Sequence, residues 1–333
     1  MRQITPDSGA ERAGLTTWLA RLGLDPDALG AYAVLAGGLS GATVYRVTVA
    51  GTMRVLKVTA AGAAPHVVAR ARREVAFYRE LAPHLPLRVP EVIAAEVDAD
   101  RGSALLLAAY TPAAPAPVWK RPAYLEVVRQ LAGFHAVFWD AAGRLAAWPW
   151  LRPATPAATT AALVRAWDAW SALAGRPAAP ALPAALAGIE TLLARIPAVE
   201  AALAGVLPTI CHGDCHLGNL LRDAVGNLRW ADWQEVGPGC GPADLAFLIG
   251  RAVAAGGRVP EAALITAYHA ALAAALVRPP SHAAVAAAVA AAELRTSLLD
   301  WPAYLQNAPP PTLATLLARI RRQAAHLGLP VPA

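Results

Sequence analysis

Apolar positions along the chain follow two rhythms, and the change from one to the other divides it. Between Glu11 and Leu22, Leu15, Trp18, Leu19 and Leu22 fall at helical spacing and predict a short amphipathic helix. From Val34 the pattern turns to short β-branched runs. Val34-Leu35, a glycine-rich turn at Gly37 to Gly41, Val44 to Val49, a tight turn at Ala50-Gly51 and Met53 to Thr59 together read as strands closing into a hairpin. A helix is expected from about His66 to Leu81, with Val68, Ala71, Val75 and Tyr78 on its apolar face. Val89 to Val97 and Ala104 to Leu107 supply two more strands, so the first third of the chain reads as a five-stranded antiparallel sheet with helix beside it.

After Tyr110 comes Thr-Pro-Ala-Ala-Pro-Ala-Pro, whose stiffness and lack of amide donors suit a join between lobes near 108 to 118. Beyond it the period becomes helical, with candidates near 122–139, 158–174, 184–204, 260–277, 281–299 and 311–326. The stretch 208–250 is broken by Gly, Pro and Asp and is expected to be irregular, which is where chemistry concentrates. No segment repeats at a fixed period. The fold class expected is α+β, with a small sheet lobe over 1–112 and a mainly helical lobe over 113–333; 333 residues are enough for each lobe to bury a core of its own.

Composition narrows the setting. The chain is 56% hydrophobic with a mean hydropathy of +0.40, but Ala supplies much of both, and no run of about 18 strongly apolar residues occurs. No apolar segment follows Arg2, so neither export nor a membrane partner is expected and the compartment read from the sequence is the cytoplasm. Three cysteines, at 211, 215 and 240, give no disulfide framework. The formal charge of +6 is scattered, without any run of five basic residues, so no nucleic-acid partner is expected. Lysine occurs only at 57 and 120, in a chain that otherwise uses arginine.

Candidate chemistry lies in Thr209 to Leu221, where His212, Asp214 and Asn219 form the frame H-x-D-x-x-x-x-N. That spacing lets a carboxylate face an acceptor hydroxyl while an amide oxygen several residues on reaches a magnesium ion beside phosphates. Two short strands around Gly226-Asn227 then deliver Asp232, a hard oxygen donor suited to Mg²⁺. Upstream, the same chemistry needs a glycine-rich phosphate cover, a lysine and a helix carboxylate to hold that lysine. Gly37 to Gly41, Lys57 within Val55-Leu56-Lys57-Val58, and Glu74 appear in that order.

His212-Gly213-Asp214 through Asn219, then Ala231-Asp232-Trp233-Gln234 and Gly241-Pro242-Ala243-Asp244-Leu245-Ala246, resemble the aminoglycoside phosphotransferase and choline kinase superfamily over roughly residues 30–300. The resemblance implies a two-lobed, protein-kinase-like fold with nucleotide in a cleft, and transfer of the γ-phosphoryl group of ATP or GTP to a small hydroxyl compound. By the same resemblance Asp214 is the catalytic base, Asn219 and Asp232 are magnesium ligands, and His212 and Asp244 support the loop. Gly38, Ser40, Gly41, Lys57 and Glu74 would serve the nucleotide phosphates, and Ala108 and Tyr110 the base, although relatives often carry an acidic residue where Ala108 or Ala109 stands. His135 and His216 are read as structural or surface histidines.

Three other readings compete. Cys211-His212 and Cys215-His216 offer soft ligands for zinc or haem, but their spacing fits neither kind of site. A protein acceptor needs an activation segment, and eleven residues between Asp232 and Asp244 are too few for one. A relative that only binds nucleotide would not need Lys57, Glu74, Asp214, Asn219 and Asp232 together. For the acceptor, seven acidic residues between Leu220 and the C-terminus are thin recognition for a polycation. Ten of the chain's aromatics are Trp, and Trp233, Trp301 and Tyr304, with Asp300, are the expected acceptor contacts, favouring a neutral or singly charged compound with a flat or apolar part.

Overall fold

The computed structural model describes residues 3–4, 9–35, 41–140, 142–176 and 182–331. The chain runs β1 (Gln3–Ile4), α1 (Gly9–Arg21), β2 (Leu29–Leu35), β3 (Thr43–Val49), β4 (Thr52–Thr59), α2 (Pro65–Ala76), β5 (Val92–Asp98), β6 (Gly102–Ala108) and β7 (Thr111–Pro112). Helices follow as α3 (Arg121–Val137), α4 (Ala142–Leu145), α5 (Thr160–Ala174), α6 (Leu182–Leu193) and α7 (Ile196–Ala204). Strands β8 (Thr209–Cys211), β9 (Leu220–Arg222), β10 (Leu228–Trp230) and β11 (Gly237–Gly239) precede α8 (Gly241–Ala254), α9 (Glu261–Ala275), α10 (His282–Leu299), α11 (Trp301–Tyr304) and α12 (Pro310–His326).

The chain forms two units, and the division is not made at one point. Met1–Ala113, Trp148–Arg152 and Gly218–Val236 belong to the first; Ala114–Ala147, Pro153–Leu217 and Gly237–Ala333 to the second. In the first, the five expected strands form an antiparallel sheet, and the two-residue β1 adds a sixth at its edge, in the order β1-β2-β3-β4-β6-β5. The pattern of β3 and β4 fixes their register, with Val44 opposite Lys57 and Val47 opposite Arg54. Leu56 and Leu106 pair across β4 and β6 and bury fully with Leu15 and Leu19 of α1, so the apolar stripe of that helix covers one face of the sheet. A second, three-stranded sheet pairs β7, β9 and β10.

In the second unit β8 pairs with β11, and the helices bury a core in which Trp170, Ile189, Leu294 and Ile320 are essentially inaccessible. Trp170 satisfies its indole by donating to the Leu298 carbonyl at 3.0 Å.

Several expectations require correction. Residues 184–204 do not make one helix: α6 and α7 meet at a 54° bend, where Pro197 occupies the first turn of α7 and cannot donate to the preceding turn. The stretch 208–250 is not irregular throughout, because α8 begins at Gly241; Pro242 fits its first turn, and Leu245, Leu248, Ile249 and Ala252 follow at helical spacing. The hairpin bearing Asp232 turns through a five-residue loop, since Arg222 pairs with Leu228. Asp223 organises that loop by accepting the Val225 and Asn227 amides. Of the apolar face expected on α2, Val75 and Tyr78 are buried while Val68 and Ala71 are only partly so; Val67 and Glu74 are buried in addition, and the helix continues as a π turn over Phe77–Leu81. No single described helix is long and apolar enough to cross a membrane.

Candidate active site

In the first unit, Lys57 projects from β4 and Glu74 from α2. The Lys57 ammonium donates to both Glu74 oxygens at 2.7 and 3.0 Å and to Asp232 Oδ1 at 2.8 Å, so its three protons have three carboxylate acceptors. Burial alone would pull its pKa down, but the Glu74 and Asp232 carboxylates outweigh burial and hold it above the ordinary lysine value. Lysine serves here as a permanently charged hub. Asp232 carries a backbone φ of +66°, a left-handed conformation that a non-glycine residue holds only where its surroundings impose it. The imposing contacts follow in sequence: the Trp233 ring stacks on Phe77 at 4.2 Å and 10°, its indole donates to the Trp230 carbonyl at 2.7 Å, and the Ala231 amide donates to the Asn219 carbonyl at 2.9 Å. Asn219 is buried and thereby tied to the strand that leads into Asp232.

Asn219 and Asp232 offer an amide and a carboxylate, both hard oxygen donors, and Asp232 already faces a cation; this donor set fits Mg²⁺. Gly41 has φ +80°, and a Cβ there would come within 2.7 Å of Val67, so packing against the start of α2 demands glycine. Gly38 and Ser40 lie outside the described residues. At Ala108, expected to meet the nucleotide base through its backbone, the amide donates to the Glu91 carbonyl at 2.9 Å. Tyr110 stands under the Arg229 guanidinium, 4.6 Å from the ring centre, with its hydroxyl receiving the Glu91 amide.

The second unit holds Asp214. β8 leads into His212, which is fully buried, and Gly213 then turns with φ +82°. Asp244, on the first turn of α8, accepts the His212 amide at 2.6 Å and the Gly213 amide at 3.0 Å. Burial alone would raise the Asp244 carboxyl, but the His135 hydrogen bond and charge, with His212 and the Gly213 amide, bring it below the ordinary aspartate value. The Asp214 amide donates to His212 Nδ1 at 3.3 Å, and its Oδ1 lies 3.7 Å from His216 Nε2. Asp244 thus fixes the two residues before Asp214 through their backbone.

The sequence reading took His135 as a structural or surface histidine without identifying its partners, and it did not single out Tyr268. His135 is buried and bridges Asp244 at 3.2 Å and the Tyr268 hydroxyl at 2.7 Å. Nothing in the run of α3 marks it, because a histidine on an apolar helix face looks like filler. Gly241 makes room for both: a Cβ there would sit 2.6 Å from the Tyr268 hydroxyl and 2.8 Å from His135 Nδ1. His135, Cys211 and Asp244 also lie within 4.8 Å of one another, but both imidazole nitrogens of His135 are already engaged. Cys215, in the loop before Asn219, is buried, and burial pushes its thiol well up.

Of the expected acceptor contacts, Trp233 is corrected: it is fully buried against Phe77 and presents no face to a ligand. Trp301 is half-buried and stacks on Phe247 at 6.1 Å and 13°, and Tyr304 is exposed beside it at 6.2 Å. Asp300 is exposed and helical in backbone conformation, with no capping bond from its side chain.

No curated protein matches the chain in sequence. Solved structures do. The macrolide 2′-phosphotransferase MphH from Brachybacterium faecium is 20% identical with a TM-score of 0.56, the match covering 96% of this chain and 98% of that one. A GDP complex of aminoglycoside 2′-phosphotransferase-IIIa is 14% identical with a TM-score of 0.61, over 94% and 98%. A choline/ethanolamine kinase family protein from Mesorhizobium loti is 17% identical with a TM-score of 0.55, over 95% of both chains. At these identities the likeness is one of fold, and that fold is the kinase-like α+β architecture. The phosphotransferase enzyme family's sequence model matches residues 31–281, which span both the Lys57 hub and the Asp214 loop, and the chain therefore belongs to that family.

Proposed function

We propose that the protein is a cytoplasmic small-molecule kinase that transfers the γ-phosphoryl group of ATP or GTP to an alcohol hydroxyl. The observation that carries this reading is the Lys57 hub, where one ammonium joins the helix carboxylate of Glu74 to Asp232. A partly buried lysine held charged by two acids is a costly arrangement for stability alone, and it suits a site that must receive phosphate oxygens. In this reading the sheet lobe, 1–112, covers the nucleotide, with Gly38, Ser40 and Gly41 over its phosphates, and the helical lobe, 113–333, carries the acceptor beside Asp300, Trp301 and Tyr304.

Asn219 and Asp232 would hold Mg²⁺, which supplies neutralisation of charge on the phosphates when bound. Lys57 offsets further phosphate charge, and Glu74 fixes its direction. Asp214, set by the backbone clamp of Asp244, accepts a hydrogen bond from the acceptor hydroxyl, orients its oxygen toward the γ-phosphorus and takes its proton as that oxygen bonds to phosphorus and the bond from phosphorus to the departing nucleoside diphosphate breaks. Little covalent work falls to the protein, so positioning dominates.

The test pairs two variants in a nucleotide-consumption screen against antibiotics, sugars and amino alcohols. Asp214→Asn should leave nucleotide binding nearly intact and lower turnover by about 100-fold or more, while Asp232→Ala should alter nucleotide binding and its Mg²⁺ dependence together. Turnover by Asp214→Asn within about threefold of the parent would remove Asp214 from the chemistry.

A further inference from the structure

From Asp214 a continuous row of rings runs across the second unit. His216, 3.7 Å from the Asp214 carboxylate, is followed by Phe247 at 6.4 Å between ring centres, then Trp301, stacked on Phe247, then the exposed Tyr304. Phe247 and Arg251 come from α8, one turn apart, so their side chains share a face. The Arg251 guanidinium lies 5.9 Å from the Phe247 ring and 5.7 Å from the Trp301 ring, within cation–π reach of both. Arg251 is exposed and pairs with no carboxylate among the described residues.

Other acids of this unit are engaged by cations. Glu261 is bound by Arg319 and Arg322, Glu293 by Arg319, and Asp244 by His135. Two acids adjoin the row: Asp214 at its His216 end, and Asp300, which precedes Trp301 and lies in the field of Arg295. A site for ammonium groups would present carboxylates or open aromatic faces; here the Arg251 guanidinium already lies within cation–π reach of the Phe247 and Trp301 rings.

We propose that Phe247, Trp301 and Arg251 select the acceptor, and that they take a hydroxyl compound with a flat or apolar body bearing an anionic group. The rings hold the body, Arg251 pairs with the anion as a planar fork, and ammonium compounds are disfavoured by its charge. This rests on the reading of Asp214 as the residue that meets the acceptor hydroxyl, and it adds residues and a charge rule to it.

The test uses three probes with one body and one hydroxyl: 4-(hydroxymethyl)benzoate, 4-methylbenzyl alcohol and 4-(hydroxymethyl)benzyltrimethylammonium. Their binding to the full chain is followed by ligand-observed NMR titration, which needs no turnover. The benzoate should bind about tenfold or more tightly than the ammonium probe to the parent. Arg251→Gln should bring the three within about threefold, Arg251→Glu should reverse the order, and Trp301→Leu should weaken all three while keeping it. Equal or tighter binding of the ammonium probe by the parent, an unchanged order in Arg251→Glu, or no saturable binding of any probe would overturn the proposal. Loss of the kinase reading looks different: the charge order would persist while Asp214→Asn transferred phosphate as well as the parent.

Discussion

Asp244 makes the acid side of the pH profile predictable at the level of one residue. Its folded carboxyl is depressed below the unfolded value, so its stabilisation is fully present above about pH 4 and is lost as pH falls through the folded value. Asp244→Asn should therefore cost about 3 kcal/mol at neutral pH, with the gap between parent and variant closing below about pH 4. Urea titrations at a series of pH values check this, and a gap independent of pH would mean that the charge is not what holds His212 and Gly213. A second expectation concerns thiols. Burial pushes Cys240 up to about 12, and Cys211 and Cys215 are buried, so all three should resist an aromatic disulfide reagent at pH 8 and react after denaturation. Fast labelling of Cys215 in the native chain would show that the loop around Asp214 opens.

Among the elements, most of the sheet was legible because alternation fixes strands, and the grouping of Lys57, Glu74 and Asp232 was legible because these residues are chemically distinctive and stand in a telling order. α8 was hidden by the glycines and prolines before it, although its apolar spacing after Pro242 was there to find. The bend between α6 and α7 was likewise marked by Pro197. Contacts such as His135 with Asp244 join residues far apart in sequence and leave no local trace. Trp233 was legible as important and misread in kind: its ring belongs to the seam between β10 and the end of α2. Trp233→Ala should cost about 3–5 kcal/mol, and by loosening Phe77 it should also free the Glu74 turn. A thermal melt reads the first effect and a raised nucleotide KM the second; a lower melting point with an unchanged KM would confine Trp233 to stability.

For the whole molecule, the informative feature is that the first unit is completed by chain that comes late. Among the described residues β7 pairs only with β9, and Phe77 is covered by Trp233, so residues 1–113 lack partners that lie within Gly218–Val236. Expressed alone, 1–113 should give a poorly dispersed amide spectrum or aggregate, whereas the full chain unfolds cooperatively; a stable, dispersed fragment would show that the sheet needs no later segment. On the ribosome the same discontinuity becomes a delay. Between the emergence of Ala113 and of Val236 a growing chain elongates for roughly ten seconds at common translation speeds, with the underside of Phe77 wet and a strand edge open. Nascent-chain partners that shield such edges therefore have a defined window in which to act, and codon changes that slow synthesis between these points should lower the yield of folded protein without altering a single residue.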